Sequence, residues 1–262
     1  MERWLNKVHC GDALELLKQM PDECVDMVWT DPPYGHNNNN GDLISRWEAA
    51  LGKGVYDPSL NRPIANDGAE ANGLFRAVLP ELKRVMKFGS CCCCCCGGGG
   101  PDPQFARWSL WLDEVFDFKQ MVVWDKGPMG MGWHYRRSYE TVLISQKPGA
   151  ACFWFDKSNK VENIIRPGYL NIKKKIPTVT CHPTPKPIEL SGHFIRLHSQ
   201  VGMVVLDPFC GGGSTLVAAH KLDRRWIGFD INPEYVAMSE ARIKHETAQT
   251  NMFHLKTARG EP

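Results

Sequence analysis

Apolar residues follow two alternating patterns along the chain, and these patterns predict strands separated by helices. Short apolar runs typical of buried strands lie at 7–10, 25–30, 90–96, 119–124, 139–145, 203–206 and 226–229. Apolar residues at helical spacing predict helices at 13–20, 74–86, 105–116, 187–198 and 214–222, and one more that starts after Asn232. Strands that alternate with helices favour a mostly parallel sheet with helices on both faces. The pattern therefore predicts an α/β fold.

Two polar segments interrupt this alternation. The first, near 36–72, includes the run Asn37–Asn40, and the second, near 150–180, is basic and contains several prolines. Loops of this length inside a compact domain usually have a function or move. We therefore expect one domain over residues 1–262 with two inserts.

Composition and charge limit the class of protein without naming it. The chain has 262 residues, of which 43% are hydrophobic, enough for one domain with a sizeable core. Its net charge of +2 does not by itself indicate a nucleic-acid partner. No apolar run approaches the roughly 18–20 residues of a membrane span, and the first residues do not resemble a secretory signal. The expectation is a cytoplasmic protein without a membrane partner.

The chain has eleven cysteines, and six of them are consecutive, from Cys91 to Cys96. An odd total without a secretory signal argues against a disulfide framework. Adjacent residues of an extended chain point to opposite faces, so the run does not have the spacing of paired zinc ligands. We interpret it as a buried strand of small apolar side chains and expect no metal site. A metal or redox role is the less favoured alternative.

A glycine-rich loop joins the strand at 203–206 to the helix at 214–222. It runs from Asp207 to Thr215, and its glycines let a ligand approach the backbone closely. The amides at the start of a helix favour a carboxylate or a phosphate. The next strand ends at Asp230, where folds of this type place an acid against ribose hydroxyls. The loop predicts a site for a cofactor that contains adenosine, with an ordinary turn as the alternative.

A second loop, Asp31-Pro32-Pro33-Tyr34, follows the strand at 25–30. Methylating an exocyclic amine requires acceptors for its N–H bonds, because the nitrogen lone pair is delocalised into the ring. Asp31 can accept one bond and a carbonyl of the proline pair the other. Tyr34 can stack on a base that has been flipped out of the duplex. Catalysis would then rest on positioning and electrostatics.

These two loops carry a family resemblance. Asp31-Pro32-Pro33-Tyr34 resembles the signature of amino-group DNA methyltransferases, which act on N6 of adenine or N4 of cytosine. Phe209-Cys210-Gly211-Gly212-Gly213 resembles their cofactor motif. The catalytic loop precedes the cofactor loop, as in the permuted beta group. Three more segments are similar to family segments: Gly11–Ala13, Tyr135–Glu140 and His182–Pro187. The likeness covers roughly residues 7–35, 75–147 and 180–245.

The resemblance implies the Rossmann-like fold of S-adenosylmethionine-dependent methyltransferases. Its sheet has seven strands and is mostly parallel, with one antiparallel edge strand. The reversed pair expected here is 119–124 with 139–145.

The resemblance also implies S-adenosylmethionine as cofactor and assigns roles by position. The catalytic residues are Asp31, Pro32, Pro33 and Tyr34. The cofactor-binding residues are Asp12, His182, Lys186, Asp207, Phe209, Gly211, Gly213, Ser214, Thr215 and Asp230. Among these, Asp12 is implied to contact the adenine and Asp230 the ribose, while His182 and Lys186 close the pocket. His182 could equally cap a turn, and Lys186 could be a solvated charge.

DNA is the expected partner, and basic residues with neighbouring aromatics are the candidates for contacting it. They are Trp133, Tyr135, Arg136, Arg137, Lys173, Lys174 and Lys175. Aromatics interleaved with cations suit a flipped base and its phosphates, although such a run can also be a solvated face. The inserts leave room for only a small recognition region, so we expect a short target or loose specificity.

Several alternatives stay open. Asp31 favours N6 of adenine, because cytosine-N4 members more often have Ser at that position. RNA or protein amide methylation is less favoured, because those relatives usually have Asn there. A DNA-binding or metal-binding protein without turnover and a small-molecule dehydrogenase would not need the Asp31–Tyr34 loop. The sequence leaves open a monomer or a homodimer and the presence of a nuclease partner.

Overall fold

The computed structural model describes residues 1–42, 63–97, 104–128, 135–172 and 185–259, with side chains described as far as residue 246. The strands are β1 (Lys7–Cys10), β2 (Val25–Thr30), β3 (Met86–Cys96), β4 (Asp117–Asp125), β5 (Tyr139–Gln146), β6 (Ile164–Ile165), β7 (Val204–Asp207) and β8 (Arg225–Asp230). The helices are α1 (Ala13–Lys18), α2 (Ala71–Val85), α3 (Gln104–Val115), α4 (Ile188–His198), α5 (Ser214–Lys221) and α6 (Pro233–Arg259). No helix in these ranges is both long and apolar enough to cross a membrane.

All strands join one sheet in the order β1-β8-β7-β2-β3-β5-β4-β6. The first five strands in that order, β1, β8, β7, β2 and β3, run parallel to one another. β5 is antiparallel to both β3 and β4. The predicted mostly parallel sheet with one reversed strand is therefore confirmed, and each predicted helix and strand is present with bounds that shift by a few residues.

Two details of the predicted sheet were wrong. The described residues form eight strands rather than seven, because Ile164–Ile165 pairs with β4 in a segment too short to show periodicity. The reversed strand β5 lies inside the sheet rather than at its edge. Its last six residues are all buried, whereas no residue of β4 is. β5, which is covered on both faces, lies inside the sheet, and the more exposed β4 lies nearer the edge.

The cysteine run is confirmed as a buried strand that serves both halves of the core. Cys92, Cys94 and Cys96 face the core side that contains α1, α2 and α3. Cys91, Cys93 and Cys95 face the opposite side, against α4, α5 and α6. Successive side chains of a strand alternate between faces, so one run of small residues meets both helical layers. Gly89 lies within β3 with φ at +83°.

Burial predicts which cysteines react in the folded protein. Cys10 and Cys152 are exposed, whereas the run from Cys91 to Cys96 is buried. Burial also raises the pKa of Cys92 to about 12, and the thiolate is the reactive form. We expect a maleimide to label Cys10 and Cys152 in the native protein and all eleven cysteines after unfolding. Peptide mass spectrometry measures this, and native labelling of Cys92 at the rate of Cys10 would contradict the buried strand.

Candidate active site

The carboxyl ends of β1, β2, β7 and β8 open onto one cavity of about 180 Å³. This is the usual crevice of an open parallel sheet. Six carboxyl groups line it, those of Asp12, Asp31, Asp67, Glu140, Asp207 and Asp230. Among the described lining residues, Lys186 is the only lysine or arginine. The cavity is therefore built to hold positive charge.

Lys186 lies between two of these carboxylates. Its Nζ is 3.0 Å from Oδ2 of Asp31 and 3.2 Å from Oε2 of Glu140, and 11% of its side chain is exposed. Burial alone lowers the pKa of Lys186, but Asp31 and Glu140 outweigh it and raise the pKa above its usual value. Burial likewise raises the pKa of Glu140, but Lys186 and Lys126 outweigh it and bring the pKa to about 2. Lys186 and Glu140 are therefore both charged at neutral pH.

Tyr34 is fixed beside Asp31. Its hydroxyl donates to Oδ1 of Asp31 at 2.5 Å, and burial with the nearby Asp31 charge raises the pKa of Tyr34 well above its usual value. The ring meets Trp108 edge-on at 6.0 Å and lies 5.0 Å below Nζ of Lys186. A Cβ at Gly97 would come 2.7 Å from the ring, so the end of β3 leaves room for it. The ring is thus held in one orientation at the cavity wall.

The rest of the predicted catalytic loop also faces the cavity. Pro32 and Pro33 both line it. Asp67, which the sequence did not single out, orders the backbone that follows. Its carboxylate accepts the amides of Gly35 at 2.9 Å and Asn38 at 3.1 Å. Asp67 therefore links the loop after the catalytic residues to the C-terminal part of the 36–72 segment by hydrogen bonds.

The glycine loop closes the other side of the cavity. The amide of Gly211 donates to Oδ2 of Asp230 at 3.0 Å, and the amide of Phe209 donates to Oδ1 of Asp207 at 3.1 Å. Gly213 has φ at +74° and begins α5, a conformation that favours glycine. The cavity lining includes Phe209, Gly211, Ser214 and Thr215 as predicted. Gly213 is not among the lining residues, so its role in the turn is conformational.

The carboxyl groups at the strand ends differ in environment. Burial raises the pKa of Asp207 to about 7, against the hydrogen bonds of Thr215 and the Phe209 amide that lower it. Burial also raises the pKa of Asp230, while the amides of Asn232 and Gly211 lower it. Asp12 lines the cavity, and its Oδ1 accepts the Glu15 amide at 3.1 Å to cap α1. Asp207 thus titrates near neutral pH.

Two residues of α6 support the glycine loop from behind, and the sequence analysis missed both. Ser239 Oγ donates to the carbonyl of Gly211 at 2.5 Å. The buried Arg242 donates from Nη1 to the carbonyl of Gly212 at 2.8 Å and to Ser214 Oγ at 2.9 Å. A spacing of three residues on a helix shows that these two share a face. Nothing in a single sequence indicates that this face meets a loop about 30 residues away.

The predicted DNA-contacting residues are only partly described. Trp133, Lys173, Lys174 and Lys175 lie outside the described residues, as does His182 of the predicted cofactor set. Tyr135 is 88% exposed. Arg136 is exposed and Arg137 is half-buried. These three residues lead into β5, whose second residue, Glu140, lines the cavity.

The support from α6 predicts a stability effect. Arg242→Ala leaves the buried Gly212 carbonyl and Ser214 hydroxyl without their charged donor, and we expect a loss of roughly 1–3 kcal/mol in the free energy of unfolding. Arg225→Ala is the matched control, because that arginine is exposed and donates to a single carbonyl, of Gly202. Urea denaturation measures both. Equal midpoints for Arg242→Ala and the parent protein would show that the loop does not depend on this contact.

Comparison with known proteins gives a consistent result. The family model N6_N4_Mtase, described as DNA methylase, matches residues 25–241. The DNA adenine methyltransferase YhdJ of Escherichia coli (strain K12) is 28% identical over 89% of this chain and 81% of its own. The M1.HpyAVI–SAM complex is 23% identical with a TM-score of 0.62, covering 90% of this chain and 98% of that one. PvuII DNA methyltransferase, which is cytosine-N4-specific, is 20% identical with a TM-score of 0.67, covering 93% and 90%.

The two solved structures show the shared fold, and the expected Rossmann-like methyltransferase architecture is confirmed. The family match extends over most of the chain and includes both the Asp31–Tyr34 loop and the glycine loop. This protein belongs to the N6/N4 DNA methylase family.

Proposed function

We propose that this protein transfers a methyl group from S-adenosylmethionine to N6 of adenine in DNA. The observation that supports this most directly is that the Asp31–Tyr34 loop and the glycine loop line one cavity. A base amine held by the first loop would then face a cofactor held by the second.

The lining of the cavity fits S-adenosylmethionine. The cofactor contains a sulfonium and an ammonium group against one carboxylate. Among the described residues, six with carboxyl groups and one lysine line the cavity. The start of α5 offers backbone amides to an anionic group. Both oxygens of Asp230 already accept an amide, yet each keeps a second lone pair for a hydroxyl donor. When bound, S-adenosylmethionine supplies a methyl group activated by its positively charged sulfur.

Asp31 is placed to accept an N–H bond of the target amine. Tyr34 occupies one of its oxygens and Lys186 the other, and each oxygen keeps a lone pair directed elsewhere. As a carboxylate, Asp31 acts as an acceptor only. The proline pair can supply a backbone carbonyl for the second N–H bond. The amine gives up one proton to solvent as the new N–C bond forms.

The choice of adenine rests on two observations. Asp at the first position of the catalytic loop is the residue that adenine members favour, and one relative is named as a DNA adenine methyltransferase. A structural neighbour named as cytosine-N4-specific supports N4 of cytosine as the second candidate. The mechanism derived for Asp31 applies to either exocyclic amine.

The proposal is tested by incubating unmethylated plasmid with the protein and S-adenosylmethionine and then analysing digested nucleosides by mass spectrometry. We expect N6-methyladenine from the parent protein. Asp31→Ala should reduce the rate by at least about 10²-fold, because an electrostatic contact to the reacting amine is lost. Asp31→Asn keeps the shape and one acceptor oxygen, which makes it the isosteric control. N4-methylcytosine as the product would contradict adenine as the target base. The absence of any methylated base would contradict the proposal as a whole.

Cofactor affinity should depend on pH through Asp207. Its pKa lies near 7, and only the ionised carboxylate attracts the cationic cofactor. Affinity should therefore rise with pH and be up to about tenfold weaker at about pH 6 than at its plateau. Asp207→Asn should give a flat profile over the same range. Isothermal titration calorimetry measures both, and a flat profile for the parent protein would show that Asp207 does not contact the cofactor's charge.

DNA affinity should depend on the arginines that lead into β5. Arg136→Gln and Arg137→Gln should each weaken binding and flatten the plot of log K against log salt by about 0.9, if each neutralises one phosphate. Arg225→Gln is the control, because it lies at the amino end of β8, away from the cavity. Fluorescence anisotropy over a salt series gives the slopes. Unchanged slopes in both test variants would show that the DNA-binding surface lies elsewhere on the protein.

A further inference from the structure

Three potential metal ligands meet at a place distant from the methyl-transfer cavity. The Sγ atoms of Cys91 in β3 and Cys152 in the segment after β5 are 3.3 Å apart. One ligand atom from each of Cys91, Cys152 and His198, the last residue of α4, lies within 4.8 Å of the other two. The three residues come from three separate parts of the chain.

The backbone holds these residues in place. The amide of Phe153 donates to the carbonyl of Gly89 at 2.8 Å, and the amide of Phe155 donates to the carbonyl of Leu197 at 2.8 Å. The segment that contains Cys152 is therefore hydrogen-bonded to β3 on one side and to α4 on the other. Backbone hydrogen bonds thus position the segment that contains Cys152 beside the other two ligands.

The imidazole has the outer contact that metal-binding histidines usually have. Nδ1 of the buried His198 lies 3.0 Å from the carbonyl of Phe153. A backbone carbonyl in this position fixes the tautomer with the proton on Nδ1. The lone pair of the neutral ring is then on Nε2, where it can bind a cation.

We propose that Cys91, Cys152 and His198 bind one thiophilic divalent cation, with Zn²⁺ as the ion that fits best. Two thiolates and an imidazole suit zinc and disfavour Mg²⁺ and Ca²⁺, which prefer oxygen ligands. In a tetrahedral site two zinc-bound sulfurs lie about 3.7 Å apart, so a shift of about 0.4 Å brings these two into place.

The fourth coordination position has room for water. A cavity of about 180 Å³ adjoins the cluster, and both Cys152 and His198 line it. Structural zinc sites usually have four protein ligands, whereas a site with three keeps one position for water or a small ligand. The cavity thus gives the ion a path from solvent and space for its remaining ligand.

The site is separate from the catalytic loop. Cys91 pairs with Met27, four residues before Asp31 along the neighbouring strand. At about 3.3 Å per residue this separates the two places by roughly 13 Å. A bound ion would link β3 to the end of α4 and stabilise the fold. The run from Cys91 to Cys96 was expected to form no metal site. Within the part of the chain that the structure describes, only its first member lies beside other potential ligands.

Cobalt titration of the metal-free, reduced protein tests the proposal without cofactor or DNA. We expect one equivalent of Co²⁺ to produce the visible d–d bands of tetrahedral coordination and a near-ultraviolet thiolate-to-cobalt band. Excess Zn²⁺ should abolish both. Zn²⁺ should also raise the Tm of the protein, and Mg²⁺ at the same concentration should leave it unchanged.

Cys152→Ser is the main test variant, because the side chain is exposed and its loss should not prevent folding. It should remove the thiolate-to-cobalt band and the Tm shift. His198→Ala is the second variant. Cys10→Ser is the matched control, since Cys10 is exposed and its Sγ lies 3.9 Å from the carbonyl oxygen of Ile231. Cobalt bands that persist at full stoichiometry in Cys152→Ser would overturn the proposal.

A disulfide between Cys91 and Cys152 is the competing outcome. Non-reducing peptide mapping of the oxidised protein would detect it. If that bond forms and the reduced protein binds neither Co²⁺ nor Zn²⁺, the pair is a redox couple and the proposal is wrong. Metal binding by the reduced protein that is lost on oxidation would support it. Because none of these measurements uses methyl transfer, their outcome is independent of the proposed function.

Discussion

The position of β2 between β3 and β7 is the constraint on which the active site depends. Asp26, buried in β2, accepts the amide of Val204 at 2.8 Å and pairs with Nζ of Lys87 at 2.7 Å. The Asp26 carboxylate thus links β2 to the first residue of β7 and to Lys87 of β3. A slip of one residue would turn every side chain of β2 to the opposite face. This register brings Asp31 and Asp207 to the same edge of the sheet.

The same edge concentrates negative charge that a folded protein must balance. Six carboxyl groups line the cavity, and Lys186 meets two of them while Lys126 reaches Glu140 from outside. Burying charges is costly unless they are paired, and Lys186 supplies that pairing for Asp31 and Glu140. Burial raises the pKa of Asp207 to about 7, and the nearby Asp31 and Asp230 carboxylates contribute to this rise. This excess of negative charge is unfavourable in the free protein, and it favours the binding of a cationic cofactor.

The cofactor loop gains its shape from residues that do not face the cavity. Gly213 provides the left-handed turn into α5, while Ser239 and Arg242 hold the carbonyls of Gly211 and Gly212 from α6. The loop amides are then free to point into the cavity or toward Asp230. A binding surface on a loop becomes precise when a second layer of contacts fixes its backbone. Here α6 provides that layer.

The sequence by itself determined the class of fold, the two functional loops and the cysteine strand. Each depends on local chemistry: the period of apolar residues, the prolines after Asp31, the glycines after Phe209 and the alternation of faces in a run of small residues. Lys186 and the strand-end acids, which the family motifs assign to the cofactor site, line the same cavity.

Only the tertiary structure decided which distant residues meet. The two-residue strand β6, the interior position of β5, the contact of Arg242 with the glycine loop and the meeting of Cys91, Cys152 and His198 have no local signal. Each joins residues that are far apart in the chain, and such contacts form only when the order and register of the strands are set. Local propensity predicts where an element begins, whereas the packing of the whole sheet decides what it touches.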